Sequence, residues 1–326
     1  MTSLMRWWMP LALTLAAFSG MLPAFAQSRF PDHPIRFVVP FPPGGGNDIL
    51  ARAIAPKMGE FLGQPVVIDN KAGAGGNIGT DLVAKSPPDG YTIVIASNQI
   101  TINPWLYSKL PFDIERDFTP VAQAASVPMV LVVHPSVAAN NLREFIALVK
   151  AQPDKFNHST PGDGTPQHIA FEVFNHAAGI KVTHVPYKGT GPAIADLLAG
   201  QVQAAIGTMA SLEQHVKAGK LRALGVTTPK RSQTLPQVPT LAEAGLPGFE
   251  VPLWYSILAP ANTPKEVVNR LSSDIAKSLA TPEIRDRLTG QGFEVNYLNA
   301  EQMNDLIKRD MLRWQKSIRD IGLKMD

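Results

Sequence analysis

The sequence predicts an α/β protein of two lobes, each a mainly parallel sheet flanked by helices. Three observations lead there. Short Val- and Ile-rich runs alternate with stretches of helical spacing from residue 35 onward, the pattern of parallel strands joined by crossover helices. The chain has 326 residues, more than one hydrophobic core usually holds, so two domains are expected. Glycine-rich segments stand where strands should turn into helices, the edge at which such sheets present backbone donors to a small molecule.

The first 26 residues lie outside that pattern. Met1 to Arg6 carry a positive charge, residues 7–22 are almost wholly apolar, and Ala24-Phe25-Ala26 has the small-x-small form of a cleavage site. This reads as a secretory signal peptide cut after Ala26. Pro10 and Pro23 interrupt the apolar run, which argues against an uncleaved anchor. No later segment offers eighteen uninterrupted apolar residues, so a soluble, exported chain is expected. The net charge of +3 is small and evenly spread, too weak a field for nucleic acid. Cysteine is absent, which excludes disulfides, thiolate catalysis and cysteine-ligated metals.

Residues 35–39 read as the first strand, and Pro40-Phe41-Pro42-Pro43-Gly44-Gly45-Gly46-Asn47-Asp48 turns it into a helix at 48–61. A second strand at 66–69 enters Lys71-Ala72-Gly73-Ala74-Gly75-Gly76-Asn77-Ile78-Gly79 and a helix at 78–85. A third, at 92–96, ends on Ser97-Asn98. Around 120–128 a short apolar strand leads into another at 129–134. Strands at 181–185, 202–206 and 223–227 then alternate with helices at 142–151, 165–178, 192–199 and 212–218. Residues 228–252 hold Pro229, Pro236, Pro239, Pro247 and Pro252, too much punctuation for regular structure. Strands at 254–259 and 293–297 and helices at 265–279, 282–289 and 301–321 complete the chain. The two changes of character, near 126 and 252, are the expected crossings. They divide the chain into one discontinuous domain (27–125 and 253–326) and an inserted one (126–252). No repeat of fixed period is present.

The glycine turns are the candidate site. Glycine lets main-chain N–H groups approach a ligand closely, and a helix N-terminus adds unpaired donors and partial positive charge. Pro43, Gly44, Gly45 and Gly46 form the first turn, with Asn47 or Asp48 as the expected N-cap and Arg52 placed to pair with Asp48. Gly75, Gly76 and Asn77 belong to the second. It departs from the dinucleotide fingerprint because the third glycine position falls on Ile78. A backbone nest for a carboxylate accounts for the same glycines. Ser97 and Asn98 are candidate donors from the third strand. The inserted domain offers Gly164 and Thr165, with Thr165 as N-cap and Pro166 at the first helical position, and a similar turn from Tyr187 to Pro192. His168 is either a cleft residue or an ordinary helix-start histidine, and Lys188 either a counter-charge or a solvated lysine. Trp254 and Tyr255 are either core or cleft lining.

Catalysis finds little support. The chain lacks GxSxG, HExxH and GxxxxGK[ST] motifs, and its seven histidines are scattered without shared periodicity. No metal or cofactor is expected.

Several segments together resemble the Bug-type extracytoplasmic solute receptors, the binding component of tripartite tricarboxylate transporters. They are Pro40-Phe41-Pro42-Pro43-Gly44-Gly45 with Asp48 and Ala51-Arg52, then Asn70-Lys71-Ala72-Gly73-Ala74-Gly75-Gly76. Pro186-Tyr187-Lys188-Gly189 with Gly191-Pro192-Ala193, Asp196-Leu197-Leu198-Ala199-Gly200-Gln201-Val202 and Pro239-Thr240-Leu241-Ala242-Glu243-Ala244-Gly245 follow. Leu258-Ala259-Pro260-Ala261-Asn262-Thr263-Pro264 also fits, with Asn262 where the family usually has glycine. The resemblance spans residues 34–322.

The resemblance implies a two-lobe periplasmic binding protein of type II-like fold, a monomer that delivers a carboxylate to membrane subunits and does no chemistry. It implies that 43–48 and 73–77 hold one carboxylate through main-chain donors and ordered water. Gly164, Thr165, His168 and Tyr187 would read the rest of the ligand. Family members take di- and tricarboxylates, acidic amino acids or aromatic carboxylates. Thr208 and Met209 stand near a strand end where a polar second anchor is expected. A thioether beside Tyr187, Trp254 and Tyr255 favours an aromatic carboxylate slightly over a di- or tricarboxylate. A ligand sensor signalling to a membrane protein, and an exported enzyme acting on a carboxylate, are the alternatives.

Overall fold

The computed structural model describes residues 30–325; the leader at 1–26 and its cleavage site lie outside the described residues. Two five-stranded sheets carry the fold. The first collects β1 (Ile35–Val39), β2 (Val66–Asn70), β3 (Thr92–Ser97), β4 (Phe118–Val127) and β10 (Leu253–Pro260) in the order β2-β1-β3-β10-β4. The second collects β5 (Met129–Val133), β6 (Asn157–Thr160), β7 (Thr183–Pro186), β8 (Ala204–Thr208) and β9 (Arg222–Val226) in the order β7-β6-β8-β5-β9. Both follow one plan. The middle strands pair in parallel with their neighbours on one side, and a single reversed strand, β10 or β5, pairs antiparallel on both of its flanks. Each sheet is therefore mixed, with four strands running one way.

The reversed strands follow from the path of the chain. Only Pro128 separates β4 in the first sheet from β5 in the second. The return runs through 227–252, irregular as its prolines dictate, and re-enters the first sheet at β10. The two crossings lie side by side, with Leu253 paired to Val127 and the Thr227 N–H donating to Met129 O at 2.9 Å.

Helices pack on the faces wherever their apolar stripes can be buried. They are α1 (Gly46–Leu62), α2 (Asn77–Ala84), α3 (Gln99–Leu106), α4 (Leu142–Ala151), α5 (Pro166–Ala178), α6 (Thr190–Leu198), α7 (Met209–Lys217), α8 (Lys265–Ala280), α9 (Pro282–Gly290) and α10 (Ala300–Ile321). The last begins in a capping box between Asn299 and Gln302. It ends on Gly322 in the left-handed conformation.

Three elements differ from the sequence expectation. Residues 293–297 are not a strand; Glu294 and the following Leu298 make isolated bridges to β4, and Asn296 hydrogen-bonds to Gln123 and Ser126. The short, polar β6 (Asn-His-Ser-Thr) carries no apolar alternation and escapes a pattern-based reading. Helix α3 contains Pro104 and several buried polar residues, so it shows no amphipathic stripe.

Helix α10 is locked to the first sheet by one buried acid. Asp310 Oδ2 accepts from Trp254 Nε1 on β10 (3.1 Å), Trp314 Nε1 (3.1 Å) and Thr101 Oγ1 on α3 (2.9 Å). Burial pushes the Asp310 carboxyl up, against the opposing pull of Arg313 and these donors. Removing the acceptor leaves two indole N–H groups buried without a partner, while the Thr101 hydroxyl keeps the Asn98 carbonyl at 2.8 Å. Asp310→Ala is therefore expected to cost roughly 3 kcal/mol or more in denaturant unfolding, and Asp310→Asn, which keeps an acceptor, clearly less.

Candidate functional site

The carboxyl ends of β1, β2 and β3 face the loops after β6 and β7 across the gap between the sheets. Loop one runs from Pro40 to Gly45 into α1. Ile49 is the first helix residue whose N–H finds a carbonyl, that of Gly45 at 2.9 Å, so the N–H groups of Gly46, Asn47 and Asp48 have no partner within the helix. Gly45 is the N-cap and no side chain caps this end, which corrects the expectation that Asn47 or Asp48 would. Gly46 must be glycine, since a Cβ there would lie 2.0 Å from Tyr255 Oη.

Asp48 instead anchors the loop from behind. Its carboxylate accepts from Gly44 N (3.0 Å), Arg52 Nε (2.9 Å) and Asn70 Nδ2 (3.0 Å), and Asn70 Nδ2 also reaches Phe41 O at 3.0 Å. Burial would raise its pKa, but the hydrogen bonds from Arg52, Asn70 and Gly44 outweigh that and hold it below the usual carboxylate range. The Arg52 pairing is the one the sequence spacing anticipates.

Loop two strings together Gly73, Ala74, Gly75 and Gly76, all at positive φ. The tightness is functional packing across the gap. A Cβ on Gly75 would sit 2.8 Å from the Asp163 carbonyl, and one on Gly164 would sit 2.6 Å from Tyr107 Oη. Phe41 lies between the two loops, 3.0 Å from where a Gly76 Cβ would stand.

Two cavities in the gap share Phe41, Pro42, Pro161, Thr165 and Gly189 as lining. The inner one, about 20 Å³, is lined by Gly45, Gly46, Asn47, Ser97 and Tyr255 from the first sheet's side and by Thr165, Gln167 and Thr190 from the second's. It has room for about one water. The outer vestibule, about 800 Å³, is lined by Gly73–Gly76, Tyr107, Asp163, Thr165, Tyr187 and Lys188. An open groove of about 600 Å³ between α1 and β2 lies on the outer face beside Arg52 and Pro56; it lacks a helix N-terminus and the facing loops.

The structure thus gathers Gly45, Gly46, Asn47, Ser97, Thr165, Gly75, Gly76 and Tyr187 around the gap, and separates the rest. Pro43 and Gly44 are exposed at its rim. Asn77 Oδ1 accepts from Asn103 Nδ2 at 2.7 Å, and Asn98 Nδ2 donates to Pro252 O at 3.0 Å, pinning the return crossing. Gly164 is packed under Tyr107. Thr208 pairs with Ser211 and lines a second small cavity that shares Pro161, Gln167 and Thr190 with the inner one. Tyr187 Oη donates to Asp196 Oδ2 at 2.7 Å, and burial and that carboxylate push its pKa up to about 12. Sequence reasoning missed Phe41, Tyr107, Gln167 and Thr190 as lining. Phe41 and Thr190 stood within the glycine turns; Tyr107, at the end of α3, carried no signal. Trp254 and Met209 are core residues, 3% and 0% exposed.

Histidines that look scattered in sequence converge. His168 stacks on His184 with ring centroids 3.7 Å apart, and His158 stacks on Phe171 at 3.7 Å. His168 is buried and lines neither cavity, with Nδ1 facing the Gly164 N–H at 3.4 Å. Burial, with the neighbouring imidazoles, lowers His168 to about 3; burial, with His158, lowers His184 to about 4.

Residues 50–323 match the family described as "Tripartite tricarboxylate transporter family receptor". The chain belongs to that family. It is 35% identical over 311 residues to Protein BugT of Bordetella pertussis, covering 95% of each chain. The solved structure of Rpa4515 of R. palustris with adipate superposes with a TM-score of 0.87 at 35% identity, over 90% of this chain and 99% of that one. MatC of Rhodopseudomonas palustris with bound malate gives 0.82 at 32% identity, over 89% and 100%. The fold and family are those of a two-lobe periplasmic solute-binding receptor, and these relatives are binding proteins rather than enzymes.

The three depressed histidines, His158 among them, set a pH dependence. Their folded pKa values lie below the ordinary 6.5, so the unfolded chain takes up protons first as pH falls. The stabilisation is complete above pH 6.5 and is lost on acidification toward about 4 and then about 3. The melting temperature should fall across that window, and His184→Gln should flatten the slope.

Proposed function

We infer that this chain is a periplasmic receptor that captures a small carboxylate between its lobes and presents it to the membrane subunits of a tripartite tricarboxylate transporter. The observation that carries the reading is the start of α1, with Gly46 and Asn47 lining a small cavity, their N–H groups free of helix partners, and the Tyr255 hydroxyl against Gly46. Such a helix start attracts an anion without a dedicated arginine. One carboxylate occupies the inner cavity there, and the remainder of the ligand extends toward the vestibule and loop two.

The second wall favours a polar ligand. Thr165, Gln167 and Thr190 face the helix start, whereas Met209 and Trp254, which would have favoured a flat aromatic, are sealed in the core, Trp254 with its indole N–H on Asp310. We therefore place di- or tricarboxylates ahead of aromatic acids, in line with the adipate and malate held by the two solved relatives. An inner cavity of about 20 Å³ admits no such molecule, so entry requires the lobes (27–125 with 253–326, and 126–252) to part about the paired crossings.

Thermal shift with a panel of adipate, malate, citrate, benzoate and terephthalate tests the reading. Aliphatic di- or tricarboxylates should raise the melting temperature at millimolar levels; a response confined to the aromatic acids would reverse the ligand assignment, and none at all would remove it. Gly45→Leu, at a position of ordinary φ (−83°) whose Cβ points at Thr190 Oγ1 3.4 Å away, should abolish that response while the protein still unfolds cooperatively. Asp48→Asn should weaken binding about tenfold, the effect of losing a charge-assisted brace behind the loop rather than a ligand contact.

A further inference from the structure

Behind loop 161–165 of the second lobe, three imidazoles meet two carboxylates with no lysine or arginine between them. Among the described residues the ion-pair partners of Asp163 and Glu172 are histidines alone, His184 for Asp163 and His158 and His168 for Glu172.

We propose that Asp163, His168 and His184 bind a first-row divalent cation, zinc foremost, on this wall of the gap. One donor atom from each residue lies within 4.8 Å of the other two. Two imidazole nitrogens and a carboxylate oxygen suit zinc, nickel or cobalt better than calcium or magnesium. The far side of the His184 ring is held: Thr160 Oγ1 lies 2.7 Å from Nε2, the kind of outer partner that orients a metal-bound imidazole, while Glu172 Oε1 stands 4.0 Å from His168 Nε2. The opposite nitrogens are turned toward the loop, with His184 Nδ1 3.7 Å from Asp163 Oδ1 and His168 Nδ1 accepting the Gly164 N–H at 3.4 Å, a bond that an ion there replaces. His158, fully buried, has neither ring nitrogen hydrogen-bonded, and its Nε2 stands 3.4 Å from the same Glu172 oxygen.

The Asp163 side chain is 62% exposed and lines the vestibule, so an ion enters from the gap and keeps a coordination position open to solvent. His168 and His184 lie with their planes 11° from parallel, and an ion cannot lie in both ring planes while they stack. Loading turns one ring out of the stack.

The test uses purified, untagged protein, because a histidine tag binds the same ions. Wild type, Asp163→Asn and His184→Gln are titrated with ZnCl₂ by calorimetry and with CoCl₂ by visible absorption, with circular dichroism to check folding. The wild type should bind one ion per chain, reversibly with EDTA, and show the d–d absorption of imidazole-bound cobalt. Each variant should bind at least about tenfold more weakly and lose that absorption. Asp163 is on the surface, so Asp163→Asn tests the site even if the His184 variant fails to fold. No stoichiometric binding by the wild type, or undiminished binding by a folded variant, overturns the assignment.

Discussion

A carboxylate hidden behind the first loop holds the site in shape. Asp48 collects Gly44 N–H, Arg52 and Asn70, and Asn70 in turn fixes the Phe41 carbonyl. The donors at the start of α1 are therefore presented by a braced backbone rather than by a slack run of three glycines. Without the brace, the entropy of that run would oppose ligand capture. With it, the helix start is an anion site whose geometry exists before any ligand arrives. The one charged residue in the motif thus acts on the loop, and the anion is left to neutral N–H groups.

The rest of the fold aims two such walls at each other. Both sheets share a strand order in which one reversed strand sits beside the outer one, so each lobe turns the carboxyl ends of its parallel strands toward the gap. The paired crossings at Val127 and Leu253 keep the lobes in register. The lobes meet closely across the gap, Gly75 against Asp163, Gly189 against Pro42 and Gly164 against the Tyr107 ring.

Much of this was legible in the order of residues. The β-branched runs and helical spacings located nine of the ten strands or their immediate surroundings and nine of the ten helices, because burial on both sheet faces leaves a plain apolar signature. Where that signature is absent, the reading failed. The polar tetrapeptide of β6 earns its place through parallel pairing with β7 and β8, and α3 is stabilised by buried amides such as Asn103 rather than by an apolar stripe. The region 293–297 looks like a strand yet only skirts β4.

The candidate site was legible in part, for a similar reason. Glycine turns announce themselves by composition, so Gly45, Gly46, Gly75 and Gly76 could be named. Which polar neighbours face the gap depends on tertiary contacts: Asn98 is drawn to Pro252, and His168 to His184. The likeness of the two sheets and the meeting of His158, His168 and His184 leave no periodic trace, because each joins residues from separate strands and helices.

A crystal structure of the protein with a bound dicarboxylate addresses the central claim most directly. One carboxylate should lie at the start of α1, its oxygens within hydrogen-bond distance of the Gly46 or Asn47 N–H. An acid group clasped by a lysine or arginine elsewhere, with the first glycine loop making no contact to it, would contradict the account.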